Sequence, residues 1–414
     1  MPTGRQPVGF LHRPYNAAMA LVVPITKLTI FSLAIPMRRK FSHSAAERVC
    51  SEPLVVCIEL SDGTLGWGET HPRTYVTGES HEDAIDAIRR IFVPLLVNFR
   101  PTSFGEAIEA TADLPMTEGD RPITAARAAV EIALLDAYGK SFGRSLDAVA
   151  RYLEEPWLGL PGSRPSTRHS VVVSSMDPDR AASFVRKVRY GLIRDFKLKV
   201  GDDADDARLR QTVAAMGAGL RTGKTTLRID ANSAWDLETA TQRLSGWRDL
   251  PITCCEQPLA REAHMDWPRL AEASPIPLMA DESLVTLEDA EDLVERRSVR
   301  WFNIRISKNG GLIPAIKLAI LARRHNLFYQ LGCMVGETSI LSAAGRWFLQ
   351  LVPHVRFAEG SFGRFLLSDD IVKRSLRFGF GGRWKALAGP GLGINVDPAR
   401  VERLAVTRGI EIPF

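Results

Sequence analysis

The chain has 414 residues, 45% hydrophobic and 24% charged, which supplies a large core and excludes extensive disorder. Its 53 basic and 48 acidic residues give a net charge of +5 spread along the chain, without the dense basic run that a nucleic-acid binder shows. No run of eighteen or more apolar residues occurs, so a membrane-spanning helix is not expected. The five cysteines, Cys50, Cys57, Cys254, Cys255 and Cys333, are odd in number and lack zinc-type pair spacing, which fits a reduced cytoplasmic setting.

Residues 1–24 precede the first convincing strand and read as an extension. Their basic residues are Arg5 and Arg13, and the short apolar run Ala17 to Val23 lacks the cleavage pattern of a signal peptide. From Thr26 to Ser61 the pattern is strand-like, with Leu28-Thr29-Ile30-Phe31, then Leu54 to Leu60, and a turn at Ser61-Asp62-Gly63. Between these strands, Met37 to Ser44 reads as a basic polar loop carrying Arg38, Arg39, Lys40 and His43. After Leu65-Gly66-Trp67-Gly68-Glu69 comes a second loop, His71 to Glu79, with Arg73 and Tyr75. Residues 80–150 are helical in pattern, most clearly the alanine-rich, breaker-free Thr124 to Asp136. Strands followed by helices predict an α+β unit of its own.

Beyond residue 165 short apolar strands alternate with helical stretches. The strand ends fall near Val173, Lys199, Asp230, Glu256, Asp281, Ile306, Gly332 and Ala358, at intervals of 25 to 31 residues. Eight such units indicate a parallel β/α barrel, since each strand needs a crossover helix to return. An open doubly wound sheet is the alternative, placed second because no Gly-x-Gly-x-x-Gly loop follows any strand and charged residues end strand after strand.

The strand Phe196-Lys197-Leu198-Lys199-Val200 puts three apolar side chains on one face and both lysines on the other. On a wet face this is an ordinary amphipathic strand. On the inner face of a barrel, two lysines need carboxylates or a reaction to justify them. Asp230, Glu256 and Asp281 supply carboxylates at the tips of three consecutive strands, which converge at the carboxyl-terminal mouth of a barrel. Singly each could cap a helix or sit in a solvated loop. Together they repel one another unless a cation is present, and hard oxygen ligands suit Mg²⁺, with Mn²⁺ able to substitute. Lys308 alone reads as a loop lysine, but following the strand after Asp281 it is expected to face Lys199 across the metal. Lys197, with burial and the metal, would depress the pKa of Lys199 and fit it as a general base.

With these residues in place the chain resembles the enolase superfamily, and within it the muconate-lactonizing-enzyme subgroup of the mandelate racemase/muconate lactonizing enzyme family. The resemblance covers residues 25 to 414. It rests on Lys197-x-Lys199, on Asp230, Glu256 and Asp281, on Lys308 before Gly310-Gly311, on Gly332 to Glu337 and on the loop Tyr75 to Glu79. It implies an α/β fold, a modified TIM barrel of (β/α)7β type at residues 161–364. Residues 25–160 would form an α+β capping domain, completed by a returning segment, 365–414. It further implies a Mg²⁺-dependent isomerase or lyase that removes or delivers the proton α to a carboxylate through an enediolate. Lys199 would be one acid/base and Lys308 the other or a cationic partner, with Glu337 orienting that second lysine. Lys197 would support the site, and Asn232, Arg73, Tyr75 and Glu359 are the candidate substrate contacts.

A muconate-type cycloisomerase is the first expectation. An N-acylamino acid racemase, a dipeptide epimerase or an o-succinylbenzoate synthase-like enzyme is the second, and a catalytically silent carboxylate-binding protein the third. Dipeptide epimerases of the subgroup carry Asp-x-Asp on the eighth strand. Here the stretch is Ala358-Glu359-Gly360-Ser361, which counts against a dipeptide. The absence of a His-Asp dyad disfavours the mandelate racemase type. The partners expected are a small carboxylate substrate and further copies of the chain in a homo-oligomer, with neither nucleic acid nor membrane.

Overall fold

The structure, a computed structural model, describes residues 22–43, 46–159 and 167–414. The expected extension, residues 1–24, lies outside these but for its last three residues, as do the side chains of Arg39, Lys40 and His43.

The first unit is an antiparallel sheet. Strand β1 (Ile25–Ser32) pairs with β4 (Leu54–Leu60), and β4 with β5 (Leu65–Thr70). The stretch read as a polar loop is instead a hairpin, β2 (Ile35–His43) with β3 (Ala46–Ser51). Its basic residues do not prevent pairing, because Arg38 reaches across to the carbonyls of Leu367 (2.8 Å) and Ser368 (3.3 Å), anchoring the hairpin to the C-terminal segment. A two-residue hairpin, β6 (Thr117–Glu118) with β7 (Arg121–Pro122), leads into the helix Thr124–Ser141. This helix lies on β5 at a distance only glycine permits: a Cβ on Gly66 would stand 2.3 Å from Ala133 O, and one on Gly68 1.8 Å from Ala129 O. Small residues on both sides, alanines on the helix and glycines on the strand, are thus one packing solution.

The second unit is the barrel. Seven strands lie parallel in chain order: β8 (Val171–Val173), β9 (Asp195–Lys199), β10 (Thr226–Asp230), β11 (Cys255–Glu256), β12 (Leu278–Ala280), β13 (Trp301–Ile304) and β14 (Phe328–Leu331). The eighth position shrinks to one residue: Ala358 bridges Leu331 on one edge and His169 on the other. Crossover helices open on side-chain caps. Asp177 accepts from Arg180 N, Asp236 from Thr239 N, and Thr286 forms a reciprocal box with Asp289. The last of them, Ser339–Leu351, follows β14, so the architecture is the modified (β/α)7β barrel. The C-terminal segment then returns, and β15 (Ile410–Pro413) pairs with the free edge of β1.

One buried carboxylate joins the two units. Glu69, at the end of β5, accepts from Thr338 N (2.7 Å), Thr338 Oγ1 (2.6 Å) and Leu341 N (2.9 Å), capping the barrel helix Ser339–Leu351 from the first sheet. The loop after β5 is thereby held over the barrel mouth. No helix of the described residues is long and apolar enough to cross a membrane.

Candidate active site

Alternation on β9 buries Phe196 and Leu198 among the surrounding helices and sends Lys197 and Lys199 into the barrel. Lys197 Nζ donates to Glu256 Oε1 (3.0 Å) and Oε2 (3.2 Å) and to Glu359 Oε2 (2.9 Å), and lies 3.3 Å from Asp230 Oδ2. Burial works to lower its pKa, but the charges of Glu256, Glu359 and Asp230 outweigh it and hold the amine above its ordinary value. Lys197 is therefore a fixed cation whose charge is already balanced by three acids. Its expected role in depressing its neighbour finds no support in this arrangement.

Lys199, one step nearer the mouth and 8% exposed, donates to Asp230 Oδ2 (2.6 Å) and Asn232 Oδ1 (2.5 Å). Asn232 stands in the left-handed region (φ 46°) and returns its own amide to Asp230 Oδ1 (3.0 Å), so the Asp-x-Asn spacing folds back to hold the lysine.

The three carboxylates come from neighbouring tips. Asp230 and Glu256 are direct register partners on β10 and β11. Asp281 follows β12, its amide held by Gln257 Oε1 (2.9 Å). All three are fully buried. Burial opposes the ionisation of Asp230, yet Lys199 and Lys197 keep its carboxyl well below the usual range. Burial and the charge of Asp230 push Glu256 up. The same two causes push Glu282, whose Oε2 is buried without a hydrogen-bond partner, up to about 7.

Three expectations need correction. Lys308 does not face Lys199. It is fully buried beneath the mouth, where its amine donates to the carbonyls of Asp281 (2.6 Å) and Asn303 (3.0 Å) and to Asp281 Oδ1 (3.0 Å). The cation that does reach the carboxylates is Arg305, hydrogen-bonded to Asp281 Oδ2 and 3.9 Å from Glu256 Oε1. Period-two alternation carried the signal: Asn303 points inward to Glu256 Oε1 (3.0 Å), so Arg305 points inward as well, whereas Lys308 lies in the loop beyond the strand.

Glu359 is the second correction. One oxygen is held by Lys197, and the other accepts from Arg228 (3.1 Å), a guanidinium fully buried on the barrel axis over Phe357. Both oxygens are thus engaged below the mouth, which leaves it a support of the barrel interior.

Glu337 is the third. Among the described residues its hydrogen bond comes from Met334 N (2.6 Å) rather than from a lysine. Burial pushes its carboxyl up to about 8.

From the first sheet, Arg73 donates to Val335 O (2.5 Å), pinning the loop after β5 onto the loop after β14. Tyr75, two residues on, is 39% exposed. The structure therefore brings Lys199, Asp230, Asn232, Glu256, Asp281 and Arg305 to one mouth, with Lys197, Lys308 and Glu359 beneath them.

Among the described residues no three metal-capable side chains stand close enough around one point to hold an ion as they are. The donor set nevertheless fits a hard divalent cation: three carboxylates from successive strand tips, with the orphaned Glu282 Oε2 beside them. Each of the three is hydrogen-bonded to a resident cation, Asp230 to Lys199, Glu256 to Lys197 and Asp281 to Arg305.

The same frame is found in known proteins. Residues 179–400 match the model of the enolase C-terminal domain-like family, and residues 26–149 that of the mandelate racemase / muconate lactonizing enzyme N-terminal domain. The chain belongs to this family, whose members are isomerases and lyases of the enolase superfamily.

Muconate cycloisomerase 1-2 of Acinetobacter lwoffii is 28% identical over 394 residues, 93% of this chain and 96% of that one. The L-Ala-D/L-Glu epimerase of Bacillus subtilis (strain 168) is 26% identical over 328 residues, 78% and 84% of the two chains. The crystal structure of muconate lactonizing enzyme from Pseudomonas fluorescens complexed with muconolactone superposes with a TM-score of 0.79 at 25% identity, covering 92% of this chain and 99% of that one.

Proposed function

We propose that the protein is a Mg²⁺-dependent isomerase of a small carboxylate that works with a single base, Lys199, and that its reaction is a cycloisomerisation of the muconate type. The observation that carries this reading is the identity of the second cation at the mouth. Arg305 follows β13, which the strand order sets across the barrel from β9 and Lys199, where a second base would be required for inversion of a stereocentre, and a guanidinium stays protonated in proteins. One face of the substrate carbon thus meets an amine able to exchange a proton, and the other meets a permanent positive charge.

Asp230, Glu256 and Asp281 would hold the Mg²⁺, which when bound compensates the charge that develops on the substrate carboxylate. Lys199 takes or delivers the α-proton. Asn232 and Asp230 fix the direction of its amine through hydrogen bonds of 2.5 and 2.6 Å. Arg305 adds a planar positive group whose charge is in place before the reaction starts, so no reorganisation is needed as negative charge builds. The loop held by Arg73, with Tyr75 on it, meets the distal part of the substrate and excludes water.

All five cysteines are free, Cys254 and Cys255 included, which supports a cytoplasmic setting. The test is turnover of muconate-like diacids beside N-acyl amino acids. Lactone formation without racemisation supports the proposal. Racemisation of an N-acyl amino acid by the wild type overturns it.

A further inference from the structure

Five acids crowd the inner mouth and the floor beneath it: Asp230, Glu256, Asp281, Glu282 and Glu359. Five bases answer them: Lys197, Lys199, Arg228, Arg305 and Lys308. A divalent cation entering among these acids would meet resident cations already hydrogen-bonded to them.

The residents are not equally tied. Lys197 and Lys308 each donate to acceptors on two other residues. Arg228 donates to Gln330, Glu359 and Ser170. Arg305 is the loosest of the guanidinium groups inside the barrel: Nη2 is bonded to Asp281, Nη1 has only the thioether of Met334 at 3.7 Å, and Nε is buried with no partner. It is also 8% exposed, at the edge of the mouth, on a long side chain that can swing outward. It is paired with Asp281 and lies 3.9 Å from Glu256 Oε1, so it stands against two of the three expected ligands.

We infer that Arg305 is a tethered cation that occupies the metal position in the ion-free protein and gives up Asp281 when a divalent cation binds. The guanidinium released by that exchange stays at the mouth, where its planar fork suits a second carboxylate group on the substrate. Ion binding and recognition of a dianionic substrate are thereby coupled through one side chain. The inference rests on the assignment of Asp230, Glu256 and Asp281 as metal ligands, but not on the identity of the reaction.

The experiment is a titration with Mn²⁺ in the absence of substrate, reading free ion by electron paramagnetic resonance. Removing a competing charge from the metal position should tighten binding by about tenfold or more in Arg305→Ala. Added methylguanidinium should weaken it again in that variant but not in the wild type. Equal or weaker affinity in Arg305→Ala overturns the inference while leaving the metal assignment standing. Failure of both proteins to bind Mn²⁺ overturns the inference and the assignment together. Should the variant fold poorly, wild-type crystals grown with and without Mn²⁺ decide. Arg305 withdrawn from Asp281 in the ion-bound form supports the exchange, and an ion bound with the Arg305–Asp281 hydrogen bond intact refutes it.

Discussion

Lys308 donates to the main-chain carbonyl of Asp281 at 2.6 Å and to its carboxylate at 3.0 Å from a position with no solvent exposure, so the lysine braces the tip of β12 instead of facing the substrate. Replacing it with methionine removes the amine from two carbonyls and a buried carboxylate. The expected cost is on the order of 3 to 5 kcal/mol of stability, read from urea unfolding. Loss of turnover in Lys308→Met with unchanged stability would return the lysine to the chemistry.

Lys199 and Arg305 should respond oppositely to exchange of their charged groups. Lys199→Ala and Lys199→Arg both remove a group able to take a proton, and kcat should fall by about 10²- to 10⁴-fold in each. Arg305→Lys keeps a positive charge at the mouth and should retain turnover within about a hundredfold of wild type. Steady-state kinetics on the same substrate compares the three. Equal activity of Lys199→Arg and wild type would remove Lys199 from the role of base.

Glu337 sets a pH dependence of stability. Its folded pKa of about 8 lies above the ordinary carboxyl value of 4.5 because of burial. The native state therefore holds this proton more tightly than the unfolded chain. Its contribution is fully present below pH 4.5 and is lost as pH rises through about 8. Between pH 5 and pH 9 the loss should be on the order of a few kcal/mol in wild type, and Glu337→Gln should flatten that part of the profile. Parallel profiles for the two proteins would contradict it.

The barrel is legible because its signals are local and repeated: apolar strands at a regular interval and carboxylates at successive tips. The inward pair Lys197 and Lys199 was legible for the same reason, since period two needs only five residues to read. Lys308 was misplaced because a strand's end cannot be located to three residues from pattern alone, and the tip of β13 falls at Ile304, before the loop that carries the lysine. Arg305 was passed over although it shares parity with Asn303. Glu359 was taken for a substrate contact because its partner Arg228 lies 131 residues away, and only the closed barrel brings them together. The β2–β3 hairpin was hidden for a similar reason: Arg38 is satisfied by carbonyls 329 and 330 residues further along the chain.

Tyr75 offers a test of the loop over the mouth. Being 39% exposed, it should change stability by less than about 0.5 kcal/mol when replaced by leucine, while KM or substrate preference shifts. Arg73→Met, which loses the hydrogen bond to Val335 O, should alter both. Identical losses of stability and of activity in Tyr75→Leu would make the residue structural.

Stereochemistry of proton exchange tests the single-base account most directly. The wild-type protein, loaded with Mg²⁺ in deuterated water, is given each enantiomer of an N-acyl amino acid separately, and incorporation at the α-carbon is followed by NMR. With Lys199 as the only group able to exchange a proton and Arg305 always protonated on the other side of the mouth, the account predicts exchange in one enantiomer at most, with no racemisation. Exchange of both enantiomers, with conversion of one into the other, would show a second base at the mouth and contradict it.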